Sequence, residues 1–241
     1  MLETANKISN WVKEYAINAE MTSLVIGCSG GVDSTLVSTL CAMTGLDTYC
    51  LILPINQNPI HTSLEKHIEW LWSKYNNVHG YKQNLSDIYN VFNRQLSVNF
   101  DSELGFANSK ARLRMIALYQ VASSVNGLVI GTGNKIEDFG VGFATKHGDL
   151  ACDISPIADL YKSEVYTMAK ELGVIEDILN AEPTDGLWDD DRTDEQQLKC
   201  SYSELESVMK GECTDQRIID IYNYFHNKNL HKMNPIPICK L

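Results

Sequence analysis

Basic residues are scarce in this sequence of 241 residues. Lys and Arg number 20 against 31 Asp and Glu, which gives a formal net charge of −11 at pH 7. Because a nucleic-acid-binding protein usually presents a basic surface, the charge argues against a nucleic-acid partner. The charge of an anionic substrate would have to be neutralised by local Lys and Arg side chains and by Mg²⁺.

Cysteine pairs, membrane spans and export signals are also missing. The seven cysteines include no C-x-x-C spacing, and four of them lie in or beside apolar runs. We therefore expect reduced thiols in a cytoplasmic protein. No stretch is long and apolar enough to span a membrane, and the N-terminus lacks the pattern of a signal peptide. The 44% hydrophobic content is ordinary for a globular protein.

A loop of small residues stands between an apolar run at 24–26, which predicts a buried strand, and a helical pattern that follows. The loop consists of Gly27, Cys28, Ser29, Gly30, Gly31, Val32, Asp33 and Ser34. Glycines let the backbone approach a ligand, and the unpaired N–H groups of a helix N-terminus attract anions. The pattern predicts a phosphate-binding loop, in which Asp33 can hold a divalent cation beside the phosphate. The alternative is an ordinary turn with Asp33 or Ser34 as N-cap.

This loop is not that of a P-loop NTPase, because no Gly-Lys-Ser/Thr follows at the required spacing. It resembles the pyrophosphate-binding loop of the ATP pyrophosphatase superfamily. The resemblance implies that ATP is a co-substrate, split into AMP and pyrophosphate.

Strand and helix patterns alternate along most of the chain. Apolar runs predict strands at 24–26, 47–54, 78–81 and 127–132. Periodic apolar residues predict helices at 2–19, 62–75, 85–96, 109–125, 161–172 and 214–225. This alternation predicts an α/β fold of the Rossmann-like type, a doubly wound parallel sheet with helices on both faces. Ligands then bind at the carboxyl ends of the strands.

The remaining segments complete one predicted domain over 1–241. We expect an irregular connection at 100–106, Asn108 as the cap of the next helix, and a mobile loop at 140–156. Capping boxes at Thr193 and Ser201 predict two short helices, and the tail from His231 is expected not to be helical. The core would span about 20–180, and a helical lid and tail about 181–241.

Charged residues follow the strand predicted at 127–132. Glu137 or Asp138 can supply a second carboxylate for a metal already touched by Asp33. The alternative is a helix cap with a solvated acidic first turn. In the predicted loop further on, Lys146, Asp149 and Asp153 can grip a substrate, or they can belong to an ordinary solvated loop.

Two arginines of one predicted helix are separated by a single residue. Residues two apart point roughly 200° from each other, so Arg112 and Arg114 cannot both serve one site. The alternative for either is a surface cation whose aliphatic stem covers apolar neighbours.

Taken in chain order, these motifs resemble one family. The sequence contains Ser29-Gly-Gly-Val-Asp-Ser34, Lys110-Ala-Arg-Leu-Arg-Met115, Gly131-Thr132, Thr145-Lys-His-Gly-Asp149, Asp153-Ile-Ser-Pro, Lys162, Pro183-Thr184 and His231-Lys232. This ordered set is similar to the ammonia-dependent NAD⁺ synthetases and extends from about residue 20 to 235. The resemblance implies a ligase that amidates deamido-NAD⁺ with ammonia, through an acyl-adenylate, and releases AMP and diphosphate. It also implies Mg²⁺ as cofactor, ATP as co-substrate and a homodimer.

The resemblance further implies roles for single residues. The loop at 27–34 would bind ATP, together with Thr132, Lys162 and Thr184. Asp33 and Glu137 would bind Mg²⁺, and Asp149 would handle ammonium. Catalysis would depend on Asp33, Asp149 and Lys162. Deamido-NAD⁺ would be bound by Arg112, Lys146, Asp153, His231 and Lys232.

The sequence departs from the family pattern in two places. Ile52 stands where the family often has an adenine-contacting arginine, so Gln57 or main-chain atoms would serve instead. The spacing from Glu137 to Lys146 is one residue longer than is common, which leaves Asp138 as the alternative metal ligand. We favour Glu137, because its distance from Thr132 is that of the family.

Other readings of the phosphate loop stay open from the sequence. The chain is too short for a glutaminase domain beside the synthetase core, so free ammonia is the expected nitrogen donor. Rival functions are a GMP-synthetase-like amidating domain, a tRNA thiolase, or a nucleotide-binding module without catalytic activity.

Overall fold

A computed structural model describes residues 1–56, 62–184, 186–188 and 192–240. Its centre is a four-stranded sheet of β1 (Ser23–Gly27), β2 (Asp47–Ile52), β3 (Val78–Lys82) and β4 (Gly127–Val129). The strand order is β3-β2-β1-β4, and every neighbouring pair is parallel. The chain therefore reverses its direction of travel across the sheet between β1 and β4, where such folds open a ligand crevice.

β1 is the central strand and is buried on both faces. Val25 pairs with Tyr49 of β2 on one side and with Val129 of β4 on the other. A strand covered on both faces reads as a continuous apolar run rather than an alternating one, which is the pattern at 24–26.

Helices cover both faces of the sheet, so the doubly wound α/β prediction is confirmed. They are α1 (Leu2–Asn18), α2 (Val32–Met43), α3 (Thr62–Lys74), α4 (Ser86–Leu96), α5 (Glu103–Ser124), α6 (Lys162–Glu171) and α7 (Glu176–Leu179). One core cluster joins the sheet to α1, α2, α3, α6 and α7, and a second joins it to α4 and α5. The short helix α7 has no counterpart among the predicted elements.

A third apolar cluster lies beyond the sheet. It joins a π-helix (Lys135–Val141) to α8 (Asp194–Leu198), α9 (Tyr202–Met209) and α10 (Gln216–Met233). Both predicted capping boxes are present, at the N-termini of α8 and α9. The segment that follows β4 is thus packed against the C-terminal helices.

Two predicted helix boundaries are wrong. α5 begins at Glu103, where Ser102 Oγ accepts a hydrogen bond from Gly105 N, so the expected connection at 100–106 and the Asn108 cap are corrected. α10 runs to Met233, so the tail is helical through His231 and Lys232. The helix stops just before Pro235, because proline disfavours helical backbone in the preceding residue.

All seven cysteines are free thiols, as expected. Among the described residues, no helix has both the length and the apolar character needed to cross a membrane.

Candidate active site

The loop between β1 and α2 has the geometry of an anion site. Gly31 is the N-cap residue of α2, and no side chain caps the helix by a hydrogen bond. Asp33 and Ser34 lie inside the first turn, so the alternative of either as a plain N-cap is wrong. Gly30 has a φ of +93°, a conformation that side-chain-bearing residues rarely adopt.

Hydrogen bonds between two serines shape this loop. Ser34 Oγ accepts from Ser29 N at 3.2 Å and donates to Gly31 O at 3.1 Å, while the two serine hydroxyls lie 3.1 Å apart. Gly31 N donates to Ser29 Oγ at 3.3 Å. The curve of the loop is therefore set by its own residues before any ligand binds.

Asn134 connects this loop to the segment after β4. It is the N-cap of the π-helix, and its Oδ1 accepts from Ile136 N and Glu137 N at 3.0 and 3.1 Å. Its Nδ2 donates to Asp33 Oδ1 at 3.0 Å, and the side chain is fully buried. One amide thus holds the carboxylate of Asp33 and the main chain of Glu137, the two predicted metal ligands. The role of Asn134 was missed, although Asn is a common N-cap residue.

Lys162 brings a buried positive charge between those carboxylates. It is the first residue of α6, and its Nζ lies 2.5 Å from Asp33 Oδ2 and 2.9 Å from Glu137 Oε1. Its side chain is only 4% exposed. Burial alone would lower the pKa of Lys162, but the two carboxylates raise it overall, so the amine stays charged.

The two carboxylates respond differently to the same surroundings. Burial raises the pKa of Asp33, and the charge of Lys162 only partly opposes this. Burial acts on Glu137 too, but there Lys162 and the Tyr202 hydroxyl prevail and lower its pKa. Glu137 is therefore the firmer anion of the pair.

The donor set suits Mg²⁺, which takes oxygen ligands and commonly binds one or two carboxylates together with phosphates. Within the described ranges, no group of three or more His, Cys, Asp or Glu side chains forms a self-sufficient metal site. Asp33 and Glu137 would thus need phosphate oxygens to complete the coordination.

Asp138 takes a different place from Glu137. Its carboxylate lies against Gly133, where a Cβ would overlap it, and no hydrogen bond from the described residues reaches it. Burial, followed by repulsion from Asp149 and Glu137, raises its pKa well above the ordinary value. Glu137 rather than Asp138 is the residue that Lys162 holds beside Asp33.

The predicted residues for the acceptor substrate come together partly through main-chain atoms. Arg112 donates from Nε and Nη2 to Lys146 O at 3.3 and 3.2 Å, and Lys146 Nζ donates to His231 O at 2.6 Å. Lys232 Nζ donates to the carbonyls of Gly142 and Ala144 at 3.1 and 2.9 Å. Lys232 and the main chain of His231 therefore hold the loop that carries Lys146.

Asp149 and Asp153 occupy distinct positions. Asp149 is open to solvent, and its Oδ1 accepts from Thr145 N at 2.9 Å. Desolvation of the carboxyl by neighbouring protein atoms raises its pKa, despite this hydrogen bond. Asp153 anchors the end of β4, because its Oδ2 accepts from Val129 N at 2.7 Å and its Oδ1 from Tyr119 Oη at 3.0 Å.

A surface cavity of about 610 Å³ lies beside these groups, lined among others by Arg112, Tyr119 and His147. Arg114 is elsewhere, since its Nε donates to Leu53 O at 3.0 Å just beyond β2. The two arginines serve different places, as their spacing predicts.

Among the described residues, no hydrogen bond joins Thr132 or Thr184 to Asp33, Glu137 or Lys162. Thr132 follows β4, Thr184 is exposed, and Gln57 lies outside the described residues. Ile52 is buried at the end of β2.

Comparisons with known proteins identify the family of the chain. The NAD synthase family model matches residues 4–234. The chain belongs to the NAD synthase family. The NH(3)-dependent NAD(+) synthetase of Methanocaldococcus jannaschii is 39% identical over 217 residues, covering 87% of this chain and 81% of that protein.

Solved structures of the family also match nearly the whole chain. The NMN synthetase of Francisella tularensis superposes with a TM-score of 0.92 at 34% identity, covering 99% of this chain and 98% of that one. The NH3-dependent NAD synthetase of Campylobacter jejuni gives a TM-score of 0.79 at 26% identity, with 99% of each chain covered. The chain is thus placed among ligases, and the rival readings as a thiolase, a GMP-synthetase-like domain or a non-catalytic module are not favoured.

Proposed function

We propose that the protein catalyses the ATP-dependent amidation of deamido-NAD⁺ by ammonia to NAD⁺, with release of AMP and diphosphate. One observation carries the proposal: Asp33, Glu137 and Lys162 meet at the carboxyl ends of β1 and β4, beside an uncapped helix N-terminus. This arrangement supplies the groups that an ATP-splitting ligase needs, in a chain of the NAD synthase family.

In the first step, the nicotinate carboxylate attacks the α-phosphorus of ATP and the bond to the departing diphosphate breaks. The N–H groups at the start of α2 bind phosphate oxygens. Mg²⁺, held by Asp33 and Glu137, would neutralise phosphate charge. Lys162, which lies between the two carboxylates, supplies positive charge for the diphosphate as negative charge grows there.

In the second step, ammonia attacks the acyl carbon of the adenylate and AMP leaves. The attacking species is NH₃, so the ammonium ion that predominates at neutral pH has to lose a proton. Asp149 would accept it, because desolvation raises the pKa of its carboxyl and so makes the carboxylate a stronger base.

The direct test measures diphosphate release and NAD⁺ formation from ATP, deamido-NAD⁺ and ammonium, with Asp33→Ala as the inactive reference. We expect release that depends on both deamido-NAD⁺ and ammonium, and little activity when glutamine replaces ammonium. Equal activity with glutamine would reject free ammonia as the donor, and release without deamido-NAD⁺ would reject the acceptor.

A mononucleotide acceptor is the second candidate. The Francisella tularensis NMN synthetase superposes at a TM-score of 0.92, against 0.79 for the Campylobacter jejuni NAD synthetase. Amidation of nicotinate mononucleotide would use the same chemistry on a shorter acceptor. The ratio of kcat/KM for the two acceptors, measured side by side, decides between them.

We further propose a cytoplasmic homodimer. Seven free thiols suit a reducing compartment. Exposed apolar side chains cluster in sequence on α4, α5 and their connection, among them Val98, Phe100 and Ile116 at 78, 72 and 67% exposure. Such side chains on an acidic surface favour an interface with a second copy of the chain.

A further inference from the structure

Tyr202 of α9 reaches the carboxylate pair from the C-terminal helices. Its hydroxyl lies 2.6 Å from Glu137 Oε1 and 3.0 Å from Asp194 Oδ2, and its ring centroid is 4.7 Å from Lys162 Nζ. The residue is 7% exposed. A phenol hydroxyl has a single hydrogen to donate, and the shorter distance assigns it to Glu137.

The contacts of Glu137 distinguish its two oxygens. Lys162 and Tyr202 both donate to Oε1, at 2.9 and 2.6 Å. Neither of these two donors binds the other oxygen, Oε2. A carboxylate that binds a metal through one oxygen is commonly oriented by hydrogen bonds to the rest of its surroundings.

Tyr202 is itself held firmly. Its main-chain N donates to Glu195 Oε1 at 2.9 Å, directly after the capping box that begins at Ser201. Its ring packs in the third apolar cluster with Ile136 and Leu205. Tyr202 can therefore impose a position on Glu137 rather than follow it.

The second contact of the Tyr202 hydroxyl, with Asp194, connects it to helix α8. Asp194 opens α8, and its main-chain N donates to Pro183 O at 3.1 Å. Pro183 precedes Thr184 in the segment expected to close over ATP. The same phenol thus contacts both Glu137 and α8, the helix that follows this segment.

We propose that Tyr202 is a positioning residue of the ATP–Mg²⁺ site. It fixes Glu137 so that Oε1 is bound by Lys162 and Tyr202, while Oε2 is left for the cation. The inference rests on the proposed function only in taking ATP and Mg²⁺ as the ligands, and it holds for either acceptor. Groups that orient a metal-binding side chain typically change metal affinity by about 10- to 100-fold when they are removed.

The test is Tyr202→Phe, which removes the hydroxyl and keeps the ring in the apolar cluster. Mn²⁺ serves as a spectroscopic substitute for Mg²⁺, and its binding is titrated by electron paramagnetic resonance in the presence of a non-hydrolysable ATP analogue. We expect Mn²⁺ affinity to fall about 10- to 100-fold. Binding of the metal-free analogue stays unchanged, and in turnover the KM for Mg²⁺ rises more than kcat falls.

Tyr222→Phe is the matched control. Tyr222 packs against the same apolar cluster and stacks on His226 with a centroid distance of 5.6 Å. This variant should bind Mn²⁺ like the wild type, and thermal melts of both variants check folding.

Wild-type Mn²⁺ affinity in a folded Tyr202→Phe protein would overturn the proposal. Equal losses of affinity in both variants would also overturn it, since the effect would then be one of general packing. If the wild type binds Mn²⁺ with the analogue but forms no NAD⁺, the proposed function fails while a selective loss in Tyr202→Phe still supports this role.

Discussion

At the scale of single residues, Lys162 is the group on which the candidate site depends most. It is buried, and its single charge lies between two carboxylates, that of Asp33 in the first turn of α2 and that of Glu137 in the π-helix. Removing one member of a buried ion pair leaves an uncompensated charge, which is more costly than the pair itself is favourable.

We therefore expect Lys162→Met to lower the free energy of unfolding by about 3–5 kcal/mol. Urea denaturation at neutral pH measures this change. Lys170→Met, at an exposed position near the end of the same helix, is the control and should differ little from the wild type. A Lys162→Met protein as stable as its control would show that the carboxylates are not charged together in the free protein.

His67 makes the fold sensitive to acid. Its ring is completely buried, and burial lowers its pKa from 6.5 to about 4. Ser38 Oγ donates to Thr35 O at 3.0 Å, so His67 Nε2 donates to Ser38 Oγ across 2.8 Å. In the described part of the chain, Nδ1 has no hydrogen-bond partner, which suits a neutral imidazole.

Because the unfolded state binds this proton more readily, the contribution of His67 is complete above pH 6.5 and is lost as pH falls toward 4. Over that range we expect the wild type to lose about 3 kcal/mol more than His67→Gln, which cannot titrate. Urea denaturation of both proteins at several pH values from neutral down to about 4 measures the difference. Parallel pH profiles for the two proteins would contradict this account.

Sequence motifs predicted the residues of the site better than the contacts among them. Asp33, Glu137 and Lys162 were expected to act on one ligand, and the structure brings them together. Asn134 and Tyr202 were missed. Tyr202 meets Glu137 across 65 residues of chain, and no local pattern signals such a contact.

At the scale of helices and strands, α10 fixes the segment that follows the π-helix. Three side chains on one helical face donate to main-chain carbonyls of residues 140–144: those of His226, Asn229 and Lys232. They are three residues apart and so share a face. Asn229 Nδ2 donates to Val141 O at 2.9 Å and is 8% exposed.

Asn229→Ala leaves the carbonyl of Val141 without its donor. We expect the free energy of unfolding to fall by about 1–3 kcal/mol, the cost of an unsatisfied buried polar group. Amide exchange in residues 140–149 should become faster, and the KM for the acceptor should rise. Asn227→Ala, at an exposed position of the same helix, is the control. Unchanged exchange in the Asn229 variant would mean that α10 does not hold this segment.

Helix interiors were easier to predict than helix ends. The start of α5 was misplaced because its first turn, with Leu104 at 60% exposure and Gly105, has little apolar periodicity. The end of α10 was misplaced because its last turns are fixed by contacts with the loop at 140–144, which sequence periodicity does not report. Mobility of 140–156 remains a prediction.

At the scale of the whole molecule, the alternation of strands and helices was sufficient to predict the parallel sheet. The surface that would bind a second subunit is harder to predict, because both α1 and α5 carry exposed apolar side chains. Ile17 of α1 is 56% exposed and Ile116 of α5 is 67% exposed. Ile116 also borders the cavity that contains Arg112, so an interface there would lie next to the proposed acceptor site.

For the proposed homodimer, we expect Ile116→Glu to give monomers, because a charge would be buried in the proposed interface. Ile17→Glu should remain dimeric. Sedimentation velocity at several concentrations distinguishes the two states. Dissociation of the Ile17 variant instead would place the interface on α1.

The order of the strands also has a consequence for synthesis on the ribosome. β1 and β2 are near each other in the chain, but Ser23 of β1 pairs with Gly127 of β4. The ion pair between Asp33 and Lys162 can form only after a further 129 residues have been synthesised. The contact of Tyr202 with Glu137 forms later still. A nascent chain can therefore form the first half of the sheet early, yet it holds no complete nucleotide site until its C-terminal helices have emerged.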